Sequence, residues 1–285
     1  MKKIVIICLL LLVATMSACS DNVAPVDGNH KEKKDESEQG KEKNQNKKNE
    51  ETDKEKSETS VEKPTEPKYS VNQKNWSIEP IKGDTNEKVV LLTIDDAPDK
   101  YAVDMAKTLK ELDAGAIFFV NGIYLDSQEG KKALKKIHDM GFLIGNHTYS
   151  HAYLPDLSEG EQRKEIEKVS EMVEQVIGEK PKFFRAPNGA NTDSTRKIAD
   201  EQGMILMNWS YGYDYFEPYM DAEKLTKAMV TGKAPEIDIP YSLLKPGANL
   251  LMHDREWTSK ALSDIVRGLR DKGYKTVDPH LIKTK

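Results

Sequence analysis

The pattern of apolar positions changes at about residue 69. From there on, short apolar runs typical of buried strands alternate with segments whose apolar residues recur at helical spacing. Strands are predicted at 88–95, 116–120, 143–146, 183–185, 204–209, 249–253 and 274–277, and helices at 101–112, 128–140, 158–177, 194–201, 222–229 and 258–272. Such alternation predicts an α/β fold, a parallel sheet of about seven strands covered by helices. The pattern fits a barrel or an open doubly wound sheet, and in both the site lies at the carboxyl ends of the strands.

The N-terminus has the order of a secretory signal. Two lysines at positions 2 and 3 precede an unbroken apolar run over 4–13, which is too short to cross a bilayer core of ~30 Å as a helix. The segment MSAC at 16–19 resembles a bacterial lipobox, in which the cysteine is lipidated and the preceding peptide is removed. We therefore expect a signal peptide at 1–18 and a lipid anchor on Cys19. The alternative is an ordinary signal peptide with an incidental cysteine.

The segment that follows, 19–68, is predicted to be a disordered, charged linker. Residues 31–68 contain eleven lysines and twelve acidic residues, and Val61 is their only aliphatic residue. A segment so poor in apolar groups cannot offset the entropy lost on ordering. As a coil, its 38 residues would span ~35 Å and keep a lipid-anchored domain near the membrane. Because its charges are balanced in sign, we expect no binding to nucleic acid.

The cysteine content limits the chemistry of the predicted domain at 69–285. The chain has only two cysteines, Cys8 and Cys19, and both precede that domain. A disulfide framework, a thiol nucleophile and a cysteine-ligated zinc ion are therefore excluded there. The whole chain carries five excess negative charges at pH 7, which indicates no particular partner.

The predicted strands end in residues that can bind a metal or transfer a proton. Asp95 and Asp96 end the first strand, His147 and His151 follow the third, Arg185 ends the fourth, Asp214 follows the fifth, and His253 ends the sixth. Charged groups at the ends of apolar strands are costly to desolvate, so their accumulation at one edge of a sheet indicates a functional site.

The two histidines at 147 and 151 are the strongest sign of a metal. Because they are four residues apart, one turn can direct both imidazoles at the same ion, and a carboxylate would complete a set of two histidines and one aspartate. Such a set leaves positions open for water and substrate, as in catalytic zinc sites. Two histidines at this spacing with no other candidate ligand are more often structural. Here Asp95, Asp96 and His253 at neighbouring strand ends favour a metal site. The Asp-Asp pair alone could simply begin a turn before Pro98.

Four short segments carry a family resemblance. TIDDAP at 93–98, HTYSH at 147–151, RAPNG at 185–189 and LMH at 251–253 resemble, in order, the motifs of polysaccharide deacetylases, carbohydrate esterase family 4. The resemblance extends over about 88–277. It implies a distorted (β/α) barrel with fewer than eight strands, and so favours the barrel over the open sheet.

The resemblance also implies roles for the metal and base residues. Asp96, His147 and His151 would bind the divalent metal, with Zn²⁺ as the default and Co²⁺, Ni²⁺ or Mn²⁺ as alternatives. Asp95 would be the general base, and Arg185 would orient it.

Four further positions receive roles in the same way. His253 would be the general acid, and Asp214 would pair with it. Leu251 would line the pocket for the acetyl methyl group, and the backbone N–H of Asn188 would contribute to the oxyanion hole.

The implied activity is hydrolysis of N-acetyl groups on an amino-sugar polymer. Peptidoglycan is favoured because the predicted anchor would place the domain, expected to be a monomer, outside the cytoplasm, facing the cell wall. N-acetylglucosamine is taken as the sugar, with N-acetylmuramic acid as the alternative. A catalytically weak, glycan-binding lipoprotein and an esterase that removes O-acetyl groups are the alternatives.

Three positions depart from the usual motifs of the family. Ala97 stands where glycine is common, which would strain the loop if that position requires a positive φ. Asn188 replaces a common tyrosine, and the segment 209–215, which contains Asp214, has an unusual spacing with Tyr215 in place of a tryptophan. These changes predict an altered substrate groove rather than an inactive site, because the predicted metal ligands, the base and His253 are all present.

Overall fold

The computed structural model describes residues 66–285. The predicted signal peptide, the lipidation of Cys19 and all but the last three residues of the charged linker lie outside this range. Within it, no helix combines the length and the apolar character needed to cross a membrane.

The described part of the chain contains nine strands and six α-helices. The strands are β1 (Tyr69–Val71), β2 (Ile78–Pro80), β3 (Val89–Ala97), β4 (Ala116–Val120), β5 (Leu143–Asn146), β6 (Phe183–Phe184), β7 (Ile205–Leu206), β8 (Ala248–His253) and β9 (Lys275–Thr276). The helices are α1 (Ala102–Glu111), α2 (Gln128–Asp139), α3 (Glu159–Ile177), α4 (Asp193–Glu201), α5 (Ala222–Thr231) and α6 (Glu256–Asp271). Helix α3 begins with a capping box, in which Ser158 and Glu161 satisfy each other's backbone amides.

Seven strands form one parallel sheet in the order β7-β6-β5-β4-β3-β8, and β9 pairs with the start of β3. The sheet curls until its two edges meet. Just beyond β7, the N–H of Ser210 donates to the carbonyl of Asn249 in β8 at 2.7 Å, and the N–H of Leu251 donates to the carbonyl of Tyr211 at 2.9 Å. The predicted distorted barrel of about seven parallel strands is therefore confirmed.

The central strand β3 is buried along its whole length. Its side chains alternate between two apolar clusters, because successive residues of a strand point to opposite faces. Val90 and Leu92 pack towards the helices, whereas Leu91 packs inside the barrel with Phe119 and Phe183. Burial on both faces explains the continuous apolar run Val89–Leu92 at the start of the strand that carries the two aspartates.

Two features differ from the expectation from sequence. The strand predicted at 204–209 is reduced to Ile205–Leu206. The N–H of Met207 still donates to the carbonyl of Phe184, and the chain beyond it turns towards the closing contact with β8. The hairpin β1–β2 was not predicted, because its strands have three residues each and one of them ends in Pro80. It is attached to the barrel by a hydrogen bond of 2.7 Å from the Ile78 N–H to the Gly247 carbonyl.

Candidate active site

A β-bulge at the end of β3 turns two adjacent aspartates towards one cavity. The pairing register with β4 shifts between Ile94 and Ala97, and Asp96 has a left-handed backbone with φ of 59°. In a regular strand the two side chains would point to opposite faces. Here Oδ2 of Asp95 lies 3.6 Å, and Oδ1 of Asp96 lies 3.8 Å, from the same Nε2 atom of His147.

The three predicted metal ligands converge. Oδ1 of Asp96 lies 3.5 Å from Nε2 of His151, and the candidate ligand atoms of Asp96, His147 and His151 all lie within 4.8 Å of one another. Oδ1 of Asp96 is buried and has no hydrogen-bond partner within residues 66–285. A buried, unpaired carboxylate oxygen is costly unless a cation compensates it, so this donor set fits a divalent metal.

Hydrogen bonding leaves one nitrogen of His147 free to bind a metal. Its Nδ1 lies 2.8 Å from the carbonyl of Arg185, which can only accept, so Nδ1 carries the hydrogen and Nε2 has a free lone pair. Burial lowers the pKa of His147, although Asp95 and Asp96 oppose this effect, and the imidazole is kept neutral. Neutral histidine held through its second nitrogen is the form that binds metals.

The general base predicted at Asp95 is held by a buried arginine. Nη1 of Arg185 donates to Oδ1 of Asp95 at 2.6 Å and to the hydroxyl of Thr93 at 2.8 Å. Its Nε and Nη2 donate to the carbonyls of Met207 and Asn208 at 3.1 and 3.0 Å. The guanidinium is completely buried. Inside the barrel, Asp95 balances its charge and the acceptors named above satisfy its N–H donors. Asp95 keeps Oδ2 for another partner.

The predicted general acid is joined to the predicted aspartate. Nδ1 of His253 lies 2.8 Å from Oδ1 of Asp214, and the N–H of His253 donates to Oδ2 at 2.6 Å. Asp214 is fully buried and accepts a further hydrogen bond of 2.8 Å from the hydroxyl of Thr258. The ring of Tyr215 contacts His253 edge-on, with centroids 5.5 Å apart. The unusual spacing around Asp214 therefore still brings this carboxylate to His253.

The charge of His253 follows from its surroundings. Burial alone would lower its pKa, but Asp214 and its hydrogen bond, together with Asp95 and Asp96, raise the pKa to about 9. The imidazole is thus protonated at neutral pH. A protonated histidine held by a buried carboxylate can donate a proton to a leaving group.

The positions predicted to line the substrate are also near these motifs. Leu251 is buried in β8, two residues before His253. Asn188 is exposed and has a left-handed backbone with φ of 56°. Its N–H has no backbone partner among residues 66–285, whereas those of Gly189 and Ala190 donate to Ala186 and Pro187. The strain considered for Ala97 does not arise, because the left-handed residue of this loop is Asp96.

Two residues of the site were missed by sequence reasoning. Nη2 of Arg255 donates to Oδ2 of Asp96 at 2.6 Å. The buried carboxylate of Asp254 accepts from the N–H groups of Asp99 and Tyr101 at 2.7 and 2.6 Å, and so holds the loop after the two aspartates. Their position directly after strand-terminal His253 was a detectable sign, but it does not reveal their partners.

The histidines that were not assigned to the metal have other contacts. Nε2 of His138 lies 3.3 Å from Glu179, and Nδ1 of His280 lies 2.9 Å from Asp278. His30 lies outside the described residues.

Comparisons with known proteins agree with these motifs. The family model for polysaccharide deacetylase matches residues 82–207. A peptidoglycan-N-acetylglucosamine deacetylase of Bacillus cereus is 30% identical over 205 residues, which cover 71% of each chain. The uncharacterized protein YlxY of Bacillus subtilis is 30% identical over 209 residues, or 73% of this chain and 61% of that protein. This chain thus matches less than two thirds of YlxY.

A solved structure shares the fold. The crystal structure of a carbohydrate esterase family 4 pseudoenzyme from Bacillus anthracis matches with a TM-score of 0.59 and 30% identity, covering 67% of this chain and 63% of that one. Fold, motifs and sequence matches agree, and the chain belongs to the polysaccharide deacetylase family.

Proposed function

We propose that the protein is a metal-dependent hydrolase that removes N-acetyl groups from peptidoglycan, with N-acetylglucosamine as the sugar. The observation that carries the proposal is the convergence of three units at the strand ends. These are the ligand set of Asp96, His147 and His151, the Asp95–Arg185 pair, and the His253–Asp214 pair. The relative in Bacillus cereus that is named as a peptidoglycan-N-acetylglucosamine deacetylase supports the choice of substrate.

The metal would supply what the side chains cannot. A divalent cation held by Asp96, His147 and His151 would polarise the acetyl carbonyl and lower the pKa of a water molecule. We propose Zn²⁺, because two imidazoles and one carboxylate with open positions suit it; Co²⁺, Ni²⁺ and Mn²⁺ can use the same donors.

The residues around this site would perform the proton transfers. Asp95, whose Oδ1 is held by Arg185, would take the proton of the attacking water through Oδ2. The N–H of Asn188 would donate to the oxygen that becomes negative as the carbonyl is attacked. His253 would then donate its proton to the departing nitrogen, since an amide anion does not leave unassisted. No step requires a covalent intermediate.

The proposed location rests on the N-terminal sequence. We propose that Cys19 is lipidated and that the protein is a monomer held on the outer face of the cell membrane, next to the wall. Metabolic labelling with a fatty acid, compared between the wild type and Cys19→Ser, tests the anchor. We expect Cys19→Ser to lose the label and to be released from the membrane fraction. A variant that keeps both the label and the membrane association would reject the proposed anchor.

A second candidate is a protein that binds cell-wall glycan without hydrolysing it. The similarity to a structure described as a family pseudoenzyme favours it. The complete set of converging residues favours hydrolysis, because a binding protein does not need a general base and a protonated histidine beside a ligand set.

One experiment separates the two candidates. The full-length protein is incubated with Zn²⁺ and, in separate reactions, N-acetylated chitooligosaccharides, muropeptides or O-acetylated glycans. The products are analysed by mass spectrometry for loss of acetyl groups. Hydrolysis predicts that loss for the wild type and its absence for Asp95→Asn that still binds metal. Glycan binding by the wild type without any change of product mass would favour the binding protein. Loss of acetyl from O-acetylated glycans alone would identify an esterase.

A further inference from the structure

The carboxylate of Asp96 is divided between two tasks. Oδ1 faces the two imidazoles, lies 3.5 Å from Nε2 of His151 and has no hydrogen-bond partner within the described part of the chain. Oδ2 instead accepts a hydrogen bond of 2.6 Å from Nη2 of Arg255. One oxygen is therefore left for a ligand, while the other is already held.

The arginine is attached to the same structural unit as the aspartate it holds. Its N–H donates to the carbonyl of His253 at 2.8 Å, and its Nη1 donates to the carbonyl of Asp254 at 3.2 Å. The N–H of Asp254 in turn donates to the carbonyl of Asp95 at 3.0 Å. Short backbone links thus connect Arg255 to the end of the strand that carries Asp96, and the geometry of the contact is defined by β3 and β8.

The value of this contact is geometric rather than a contribution to stability. The side chain of Arg255 is 37% exposed, and ion pairs with such exposure add little to the free energy of folding. Asp96, however, lies in a bulge, and its carboxylate could turn about its side-chain torsions if Oδ2 were free. A hydrogen bond to one oxygen orients a ligating carboxylate and presents the other oxygen to the ion.

We propose that Arg255 is a positioning residue for the metal ligand Asp96. Its guanidinium holds Oδ2 and makes Asp96 bind the metal through Oδ1 alone. This inference rests on the metal-dependent function proposed above. It assigns the metal affinity of this chain in part to a residue that lies outside the four motifs.

Electrostatic repulsion competes with the orienting effect, so the direction of the change in metal affinity distinguishes the two. The guanidinium is a positive charge near the site of a cation, and repulsion alone would make the metal bind more tightly once that charge is removed. Orientation predicts the opposite, because partners that orient metal ligands typically contribute about 10–100-fold in metal affinity.

The test measures metal binding independently of catalysis. The full-length wild type, Arg255→Gln, Arg255→Lys and Arg267→Gln are stripped of metal and titrated with Zn²⁺ against a chromogenic chelator. Arg267 is a matched control, since it lies exposed in α6 and has no ion pair within residues 66–285. The Co²⁺ absorption spectrum of each protein reports the coordination geometry, and thermal unfolding of the metal-free proteins reports folding.

We expect Arg255→Gln to bind Zn²⁺ about 10–100-fold more weakly than the wild type and to change the Co²⁺ spectrum. Arg255→Lys keeps the charge and one donor and should lose less, and Arg267→Gln should match the wild type. An Arg255→Gln affinity equal to or higher than that of the wild type would overturn the positioning role. So would a wild type that binds no metal.

The remaining outcomes are also decisive. If Arg255→Gln does not fold, Arg255→Lys carries the test, and an unchanged affinity and spectrum would overturn the proposal. A wild type whose affinity depends on Arg255 but which removes no acetyl groups would reject the proposed function and leave the positioning role intact. An active wild type whose metal affinity does not depend on Arg255 would reject the positioning role and leave the proposed function intact.

Discussion

Nδ1 of His253 lies 2.8 Å from Oδ1 of Asp214, and the same carboxylate accepts the backbone N–H of His253 through Oδ2. Both the ring and the main chain of the histidine are therefore held by one fully buried group. Burial of the ring alone would lower the pKa of His253, but the negative charge of Asp214 outweighs this effect, so the proton is retained well above neutral pH.

The first prediction concerns pH. The pKa of His253 is raised from 6.5 to about 9, so a reaction that needs its proton should slow as pH rises through about 9. The positive charge of a bound metal would move this limb to lower pH. Asp214→Asn removes the main stabilising charge and should shift the alkaline limb of kcat further towards neutral pH. A pH–rate profile of both proteins checks this, and superimposable limbs would contradict the role of the pair.

The same shift has a consequence for stability. The folded-state pKa of His253 lies above its unfolded value, so this group stabilises the fold fully below about pH 6.5. That contribution is lost progressively as pH rises through about 9. In Asp214→Asn the fall in unfolding free energy across this window should be smaller than in the wild type, as measured by urea unfolding at several pH values.

The second prediction concerns the general base. Asp95→Asn keeps the shape of the side chain but cannot accept a proton, so kcat should fall by about 10²–10⁴-fold. The variant should still bind metal, because Asp96, His147 and His151 are intact. A matched comparison is Asp99→Asn, which changes a carboxylate of the following loop outside the proposed chemistry. Equal rates for Asp95→Asn and the wild type would reject the assignment.

The third prediction concerns the buried ion pair. Arg185→Met leaves Asp95 without its partner inside the barrel, and we expect a loss of about 3–5 kcal/mol in unfolding free energy. Adding Asp95→Asn to this variant removes the unpaired charge and should restore part of that loss. Denaturant unfolding of the two single variants and the double variant measures the coupling. Additive effects would show that the pair does not act as a unit.

The fourth prediction concerns the metal. Chelation should abolish deacetylation, and Zn²⁺ should restore it. His151→Ala should lower metal affinity by more than the ~100-fold that loss of an orienting partner can cause, because a ligand itself is removed. His138→Ala is the control, since the ring nitrogens of His138 lie near Glu179 and Asp139, outside the proposed ligand set. Metal binding unaffected by His151→Ala would remove this residue from the ligand set.

Most elements of the barrel could be predicted because they depend on two local signals, the spacing of apolar residues and the residues that begin a helix. The strand at Ala116–Val120 and the helix ending at Ile177 have strong apolar patterns, and Ser158 marks a helix start. The hairpin at 69–80 could not be predicted, since its strands have only three residues each and it is attached to the barrel through the distant residue Gly247.

The family motifs gave candidate residues but not their contacts. That Asp95 and Asp96 face one cavity depends on a bulge, which needs the register of β3 against β4. Arg255 reaches Asp96 only because β8 lies beside β3 with His253 opposite Asp95. A single sequence contains no direct record of such pairings, which join Ile94 to Phe118 and Asp95 to the distant His253.

The left-handed residues of the site have a consequence for how this protein can be improved. Asp96, Thr148, His151 and Asn188 have φ values of 59°, 66°, 59° and 56°, a region that costs non-glycine residues about 1–2 kcal/mol each. Selection for heat resistance alone would therefore favour glycine at these positions. At Asn188 the exchange would preserve the backbone donor, but at Asp96 and His151 it would delete a proposed metal ligand. At these two positions a substitution that raises thermostability is therefore expected to weaken metal binding.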